Sequence, residues 1–461
     1  MSARKIGRRM FLQSCLALAG AGILATACKA PAASEPQQPA TAAEAVQPTA
    51  APAGSKEMRL TTWENWKDDP GFMKAWETFT EKTGVKISPE NIPWSGYPDK
   101  MVTMAAAKTM PDILRVNGHM TPVFGYRDIL LKLGPYIDKD SYDMDMYYPL
   151  LRRIYQYPEG EQLCLPQDNA NYAATYYNVQ LLEEAGLQPP ADDWTYDDLL
   201  SYAEKLTKKE GSNTTQYGVV LIGGDGYPSP AVIAFGGQMS DDNFDPKKAN
   251  IDSEEHRALF DYSIKAIDMG IHPTIDAVGE MSGSFQALAT GKVAMVVNEG
   301  LWGNNQLIDA EGLKWEIAIS PRREGKPHRF ATAGAGWSAP ASSKDPDLAW
   351  QFLKFFMGPE GTEIVLANRR SDYIWPSAIK KYSEKEATQK GSAHPKLLKA
   401  VQAAESIIPW WALHPNVEQI WTTILGPVSS EVIRKTKGIE EGIGEMQQKM
   451  QELLDKLPAK S

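Results

Sequence analysis

The 461-residue chain predicts an α/β fold of two lobes with a ligand cleft between them. Three observations carry this expectation. Strand-like runs alternate with helix-like runs from Met58 to Asn117, the pattern of a parallel sheet flanked by helices. The stretch Gly160–Gly186 then offers two strand candidates joined by a polar segment, with no helix between them, as a crossing from one lobe to another would. A polar run, Arg322–Arg329, precedes the small-residue strand Ala331–Ala339 and reads as a second crossing. With 43% apolar residues there is material for two cores.

The first residues read as an export signal. Arg4, Lys5, Arg8 and Arg9 precede the uncharged run Phe11–Ala27, which is short for a membrane span and ends in small residues. Arg8–Gln13 resembles a twin-arginine signal, and Ala25-Thr26-Ala27-Cys28 resembles a lipobox with Ala25 where Leu is usual. Cys28 is then either the lipidated residue or a chance cysteine in a secretory signal. Lys29–Lys56 is rich in Ala, Pro, Gln and Thr and lacks the bulk to offset chain entropy, so it reads as a disordered tether. Cys15 falls in the signal, which leaves Cys164 alone in the mature domain. It lies in an apolar strand with no nearby His and reads as an inert core thiol.

In the first lobe Met58–Trp63 is a strand. Phe72, Trp76 and Phe79 share a helical face in Gly71–Thr83, which Gly84 stops. Val85–Ser88 is a strand ended by Pro89, a helix runs from Tyr97 to Lys108, and Pro111–Asn117 is a third strand. Ligands of parallel sheets collect beyond the carboxyl ends of strands, which selects Trp63, Glu64 and Asn117. Trp63 serves a ligand or the core equally well. In the crossing, Pro166 ends the strand Gln162–Leu165, Ala173–Tyr177 is its successor, and a helix Val179–Ala185 is stopped by Gly186. Asp168, Asn169 and Asn171 fall between the strands. They form the cleft floor or, on the plainer reading, an ordinary polar hairpin loop.

In the second lobe Thr195 is an N-cap, with Asp197 and Asp198 as structural acids in the first turn. Tyr217–Gly223 is a strand and Ser253–Met269 a helix. A helix stopped at Gly291 leads into the apolar strand Val293–Asn298, putting Glu299 and Trp302 at its carboxyl edge. Glu299 is a hydroxyl acceptor or a solvated loop acid; Trp302 is a stacking face or a core residue. Lys314–Ser320 is a strand, and Ala331–Ala339 carries Trp337. Asp345–Met357 and Gly361–Asn368 are helices. From Ser377 the chain reads as helical except at Ile407–Pro415, which carries Trp410 and Trp411.

The net charge of −10, with no basic stripe, argues against nucleic acid. HExxH, GxSxG and GxxxxGK[ST] are absent, and Gly334-Ala335-Gly336 lacks the third glycine of a dinucleotide fingerprint. The 6 His are not paired at metal spacing. No catalytic residue, cofactor or metal is expected. The alternatives are a peptide or polyamine site built from acids around aromatics and a glycoside hydrolase using two carboxylates.

Several segments, in order, resemble the carbohydrate-binding lipoproteins of ABC importers, the maltose-binding-protein-like family. They are LTTW with a helix ending EKTGV, YPDKMVTMAAAKTMPDIL, LKLGPYID, LPQDNANYAATYYNVQLLEEAGLQPPADDWTYDDLLSYAEKL, FQALATGKVAMVVNEGLW and SAPASSKDPDLAWQFLKFFMGPEG. The resemblance implies a periplasmic-binding-protein-like fold with a multi-strand hinge. It implies lobe 1 from 57–167 plus about 328–365, and lobe 2 from 168–327 plus about 366–461, after a 1–27 signal and a 28–56 lipidated tether. It implies a monomer that binds a small carbohydrate, meets permease subunits and is held at the membrane through Cys28. Asn171 matches a polar sugar contact, Trp302 a stacking aromatic, and Trp421 a late stacking aromatic. Trp63, Glu64, Asn117, Asp168, Glu299, Trp337 and Trp410 complete the expected ligand set. Val116-Asn117-Gly118-His119 departs from the maltose pattern, so ligand identity does not carry over.

Overall fold

The computed structural model describes residues 56–65, 69–168, 170–222, 229–307, 309–369, 377–389, 406–409 and 411–458. The expected signal, Cys28 and the tether lie outside them. All three sheets belong to one unit, Pro52–Ser461.

Sheet 1 is built from β1 (Glu57–Thr62), β2 (Lys86–Asn91), β3 (Ile113–Asn117), β4 (Leu165–Pro166) and β12 (Ala335–Ser338), in the order β2-β1-β3-β12-β4. β2, β1 and β3 are parallel, while β12 is antiparallel to both β3 and β4. Pro89, expected to end β2, instead lies within it. β2 is an edge strand, where a missing N–H leaves no ladder bond unmade. The helix Pro70–Thr83 starts where the Asp69 carboxylate accepts from the Phe72 N–H at 3.0 Å, and it ends at left-handed Gly84 (φ 70°). Its Phe72 and Phe79 meet Phe356 (5.3 Å) and Phe352 (5.1 Å) of the helix Pro346–Met357, which closes the lobe 1 core.

Sheet 2 contains β6 (Ala174–Asn178), β7 (Lys208–Glu210), β8 (Asn213–Val220), β9 (Val293–Glu299) and β10 (Trp315–Ile319), ordered β10-β6-β9-β8-β7. The helix Tyr196–Leu206 opens with a reciprocal capping box between Thr195 and Asp198, so that acid is structural, as expected. It crosses so close to β8 that a Cβ on Gly218 would stand 2.1 Å from the Ala203 carbonyl oxygen.

Between the two sheets lies a third, of β5 (Ala170–Tyr172), β11 (Arg329–Ala333) and β13 (Ser406–Pro409), ordered β13-β11-β5. The chain passes from β4 through β5 to β6, and from β11 directly into β12. The second crossing is therefore the strand pair β11–β12 itself, just after the polar run expected to make it. The chain also stays on lobe 1 longer than the boundary near 366 implies. Tyr148 N–H bonds the Ala378 carbonyl at 3.2 Å, Tyr147 bridges to Ile379, and Ile379 and Tyr382 are buried in the lobe 1 core. The break expected at Ile407–Pro415 overlaps β13 from Ile407 to Pro409, a hinge strand parallel to β11.

Trp337 corrects the expected ligand set. Side chains alternate across a strand, and β12 turns this indole toward the helices, where it is fully buried 5.5 Å from Phe356. Its Nε1 donates to Gln167 Oε1. Trp337→Ala should therefore lower folding stability by about 3–5 kcal/mol, read as an earlier midpoint in urea unfolding.

Candidate functional site

Strand ends from both lobes abut the two paired hinge chains. Asn117, at the end of β3, pairs with Ala335; Ala333 pairs with Ala170; and Ala174 pairs with Glu299, at the end of β9.

On the lobe 1 side a buried guanidinium organises the groups. Arg115, inside the apolar strand Ile113-Leu114-Arg115-Val116, is 2% exposed. Its Nη1 stands 2.7 Å from Glu64 Oε2 and its Nη2 3.3 Å from Asp168 Oδ2. The guanidinium carbon lies 4.5 Å over the Trp63 ring. Asp168 also accepts from the Ala335 N–H at 2.8 Å and from Gln167 Nε2 at 3.2 Å. Its acceptor positions are thus largely filled by protein donors. It ties the crossing together, at a position expected to contact ligand from the cleft floor. Burial raises its carboxyl and Arg115 opposes this, leaving it at about 6, above the ordinary 3.8.

Trp63 also carries Trp94 edge-on at 5.1 Å and Tyr97 at 5.2 Å. Trp94 touches His119 at 5.7 Å, and His119 lies 4.5 Å from Trp411. The two His119 ring nitrogens meet Asn117 Oδ1 at 2.7 Å and Glu418 Oε1 at 2.6 Å. Burial pushes the Glu418 carboxyl up, but His119 outweighs it and leaves it below its ordinary value.

On the lobe 2 side β9 carries left-handed Asn298 (φ 60°), whose amide Nδ2 donates to the Tyr196 hydroxyl at 2.9 Å. The Tyr176 hydroxyl donates to the Gly300 carbonyl at 3.0 Å and holds the turn that follows Glu299. Trp302, 37% exposed, leans edge-on against Phe285 at 5.2 Å. Trp421 is half-buried against the lobe 2 core at the start of one π-helical turn, Trp421–Leu425. There the Gly426 N–H bonds the Trp421 carbonyl; Pro427, next in line, has no N–H to offer.

The structure thus gathers Trp63, Glu64, Asn117 and Asp168 into one cluster and sets Glu299 and Trp302 at the other end of the crossing. Asn171 pairs with Thr332 through its backbone in the hinge sheet. The Asn171 side chain, Asn169 and Trp410 lie outside the described residues. Sequence reasoning missed Arg115, Trp94 and His119. A lone Arg inside an apolar strand was a usable signal for the first; the other two had none. Cys164 is buried, and burial pushes its thiol well up, as expected of an inert core residue. Among the described residues no cluster of His, Cys, Asp or Glu is placed to hold a metal ion, and no helix is long and apolar enough to cross a membrane.

Indole faces beside fixed carboxylate, amide and imidazole groups suit a ligand with apolar faces and a polar edge. The profile of the bacterial extracellular solute-binding proteins matches residues 74–397, more than half of the chain. The chain belongs to that family. The diacetylchitobiose-binding protein DasA of Streptomyces coelicolor is 23% identical over 310 residues, 64% of this chain and 68% of that one. An arabinooligosaccharide-binding protein of Bacillus subtilis is 24% identical over 297 residues, 63% of this chain and 66% of that one. An ABC substrate-binding protein of Listeria monocytogenes, solved with cycloalternan, shares the fold at a TM-score of 0.74 and 18% identity, covering 87% of this chain and 100% of that one. This solute-binding protein therefore has the two-lobe architecture expected of it.

The raised Asp168 carboxyl has a definite pH signature. Its folded value, about 6, exceeds the ordinary 3.8, so between these values the folded state holds a proton that the unfolded state has lost. Stability from this group falls as pH rises through that window. Urea titrations of wild type and Asp168→Asn at pH 4 to 7 should show the wild type gaining on the variant as the solution is acidified.

Proposed function

We propose that this solute-binding protein takes up a sugar or oligosaccharide outside the cytoplasm and delivers it to the permease of an ABC importer. The observation that carries the reading is the pairing of exposed indoles with anchored hydrogen-bonding groups at strand ends from both lobes, on one hinge. A pyranose has C–H faces and a hydroxyl edge, and this set of groups answers both. The sugars named for the relatives point the same way: diacetylchitobiose, arabinooligosaccharide and cycloalternan. Ligand touching both lobes favours the closed arrangement by its differential affinity. Binding without turnover is the reading that a guanidinium clasping both Glu64 and Asp168 favours, since it fixes the two acids in place.

Trp302 is the proposed stacking face of lobe 2. With over a third of its surface in solvent, Trp302→Ala should leave the unfolding midpoint of the empty protein nearly unchanged. It should weaken binding by roughly 2 kcal/mol, as loss of an aromatic hot spot does. Calorimetric titration with diacetylchitobiose, maltotriose and arabinotriose reads this; unaltered affinity for a sugar that binds the wild type removes Trp302 from the site.

Cys28 is the proposed lipid attachment point, holding the domain at the membrane through the Ala- and Pro-rich tether. In cell fractionation Cys28→Ser should move the protein from the membrane to the soluble fraction. Membrane retention equal to wild type rules the lipid out.

A further inference from the structure

β9 carries an extra residue where it approaches the candidate site. Tyr176 pairs with Val296 and Ala174 with Glu299, so two residues, Val297 and Asn298, stand opposite Thr175 alone. Such a bulge upsets the alternation of side chains across a strand. Val296 packs on one face, in the group that holds Tyr176 and Phe285. Val297 packs on the other, in the lobe 2 core with Tyr196 and Phe235. Asn298 stays on that second face. It is 3% exposed, its Nδ2 donates to the Tyr196 hydroxyl at 2.9 Å, and that hydroxyl donates to its Oδ1 at 3.2 Å. Glu299 then returns to the Tyr176 face. Burial pushes the Tyr176 hydroxyl well up, and the nearby Glu299 carboxylate adds to this. The turn that follows lies on the same face. Tyr176 bonds the Gly300 carbonyl, Trp302 leans on Phe285, and Gly303 sits so close that a Cβ would clash with the Phe285 and Tyr176 rings.

The bulge is closed by backbone that few side chains allow. Asn298 has φ 60°, in the left-handed region that asparagine visits more readily than most residues with a Cβ. Among the described residues the five other non-glycine positions with positive φ all lie in turns, and Asn298 lies within a strand. Its anchor is firm: the Tyr196 ring packs 4.3 Å from Phe235, and the Tyr196 carbonyl accepts from the Tyr262 hydroxyl at 2.6 Å. We propose that Asn298 is a positioning residue of the site, which by holding the bulge puts Glu299 and Trp302 on one face, and that ligand affinity depends on its left-handed backbone. This rests on the sugar-binding reading above, with Trp302 as its lobe 2 face. Without the extra residue, strict alternation would turn Glu299 toward Tyr196. Asn298, buried on the opposite face, acts only through the residues that follow it.

The test uses the full chain and calorimetric titration with whichever of maltotriose, diacetylchitobiose and arabinotriose binds the wild type. Asn298→Ala and Asn298→Val, which both disfavour positive φ, should each lower affinity about tenfold, the size of the penalty a Cβ meets in left-handed backbone. Asn298→Gly loses the amide but accepts that backbone freely, and should recover most of the loss. A double-mutant cycle separates positioning from plain stability. Added to Asn298→Ala, Trp302→Ala should cost much less than it costs alone, because the indole is already misplaced. Full affinity in folded Asn298→Ala overturns the proposal, as does a glycine variant as weak as the alanine one, or a cycle in which the two losses multiply. Where the valine variant does not fold, the alanine and glycine variants carry the same test. Binding by Trp302→Ala equal to wild type removes the lobe 2 face and this inference with it. No binding of any probe by wild type removes the sugar reading as well, an outcome distinct from the others.

Discussion

Two lobes joined by a few short strands stay in register only if the strands are tightly fastened where they pass each other. Here the fastener is one carboxylate. Asp168, between β4 and β5, accepts from the Ala335 N–H at the start of β12 and from Arg115 in β3. The adjoining backbone leaves no spare room: a Cβ on Gly334 would stand 2.8 Å from the Asp168 carbonyl oxygen, and one on Gly336 would stand 2.8 Å from that of Leu165. Glycine at these two positions lets the outgoing and returning chains lie in contact, so both lobes are positioned from the same point.

The clasp draws on a charge that is expensive to bury. A guanidinium inside an apolar strand is tolerated only when its donors find acceptors. Arg115 finds Asp168 on one side and Glu64 on the other, with the Trp63 face against it. The same ion cluster therefore fixes hinge geometry and sets the edge of the candidate site. A ligand on Trp63, Trp94 or Glu64 would press on groups that also determine how the strands cross, which gives a physical route from occupancy to the relation of the lobes.

Much of the fold was legible from local chemistry. Most strands of the two lobe sheets, the helix stops at Gly84 and Gly186 and the cap at Thr195 follow from periodicity, from glycine's access to positive φ, and from short polar side chains that satisfy free N–H groups. Where the reading slipped, a neighbouring element decided. Pro89 lies inside a strand because that strand is an edge. The segment 377–389 stays with lobe 1 because Ala378 and Ile379 bond Tyr148 and Tyr147. Ile407–Pro409, read correctly as a break between helices but not as a strand, is one because β11 offers it a parallel partner.

The candidate site divides the same way. Sequence alone determined the fold class, the first crossing and the strand ends that carry Trp63, Glu64, Asn117 and Glu299, since each depends on residues close together in the chain. Tertiary structure alone decided which aromatics are wet. Trp337 and Trp94 are equally plausible as indoles in a sequence, yet one lies under Phe356 and the other stands on Trp63 and His119. It also decided that Arg115 reaches Glu64 and Asp168, 51 and 53 residues away by numbering. Burial and pairing are properties of what the folded chain brings alongside a residue, and no local pattern encodes a neighbour that distant.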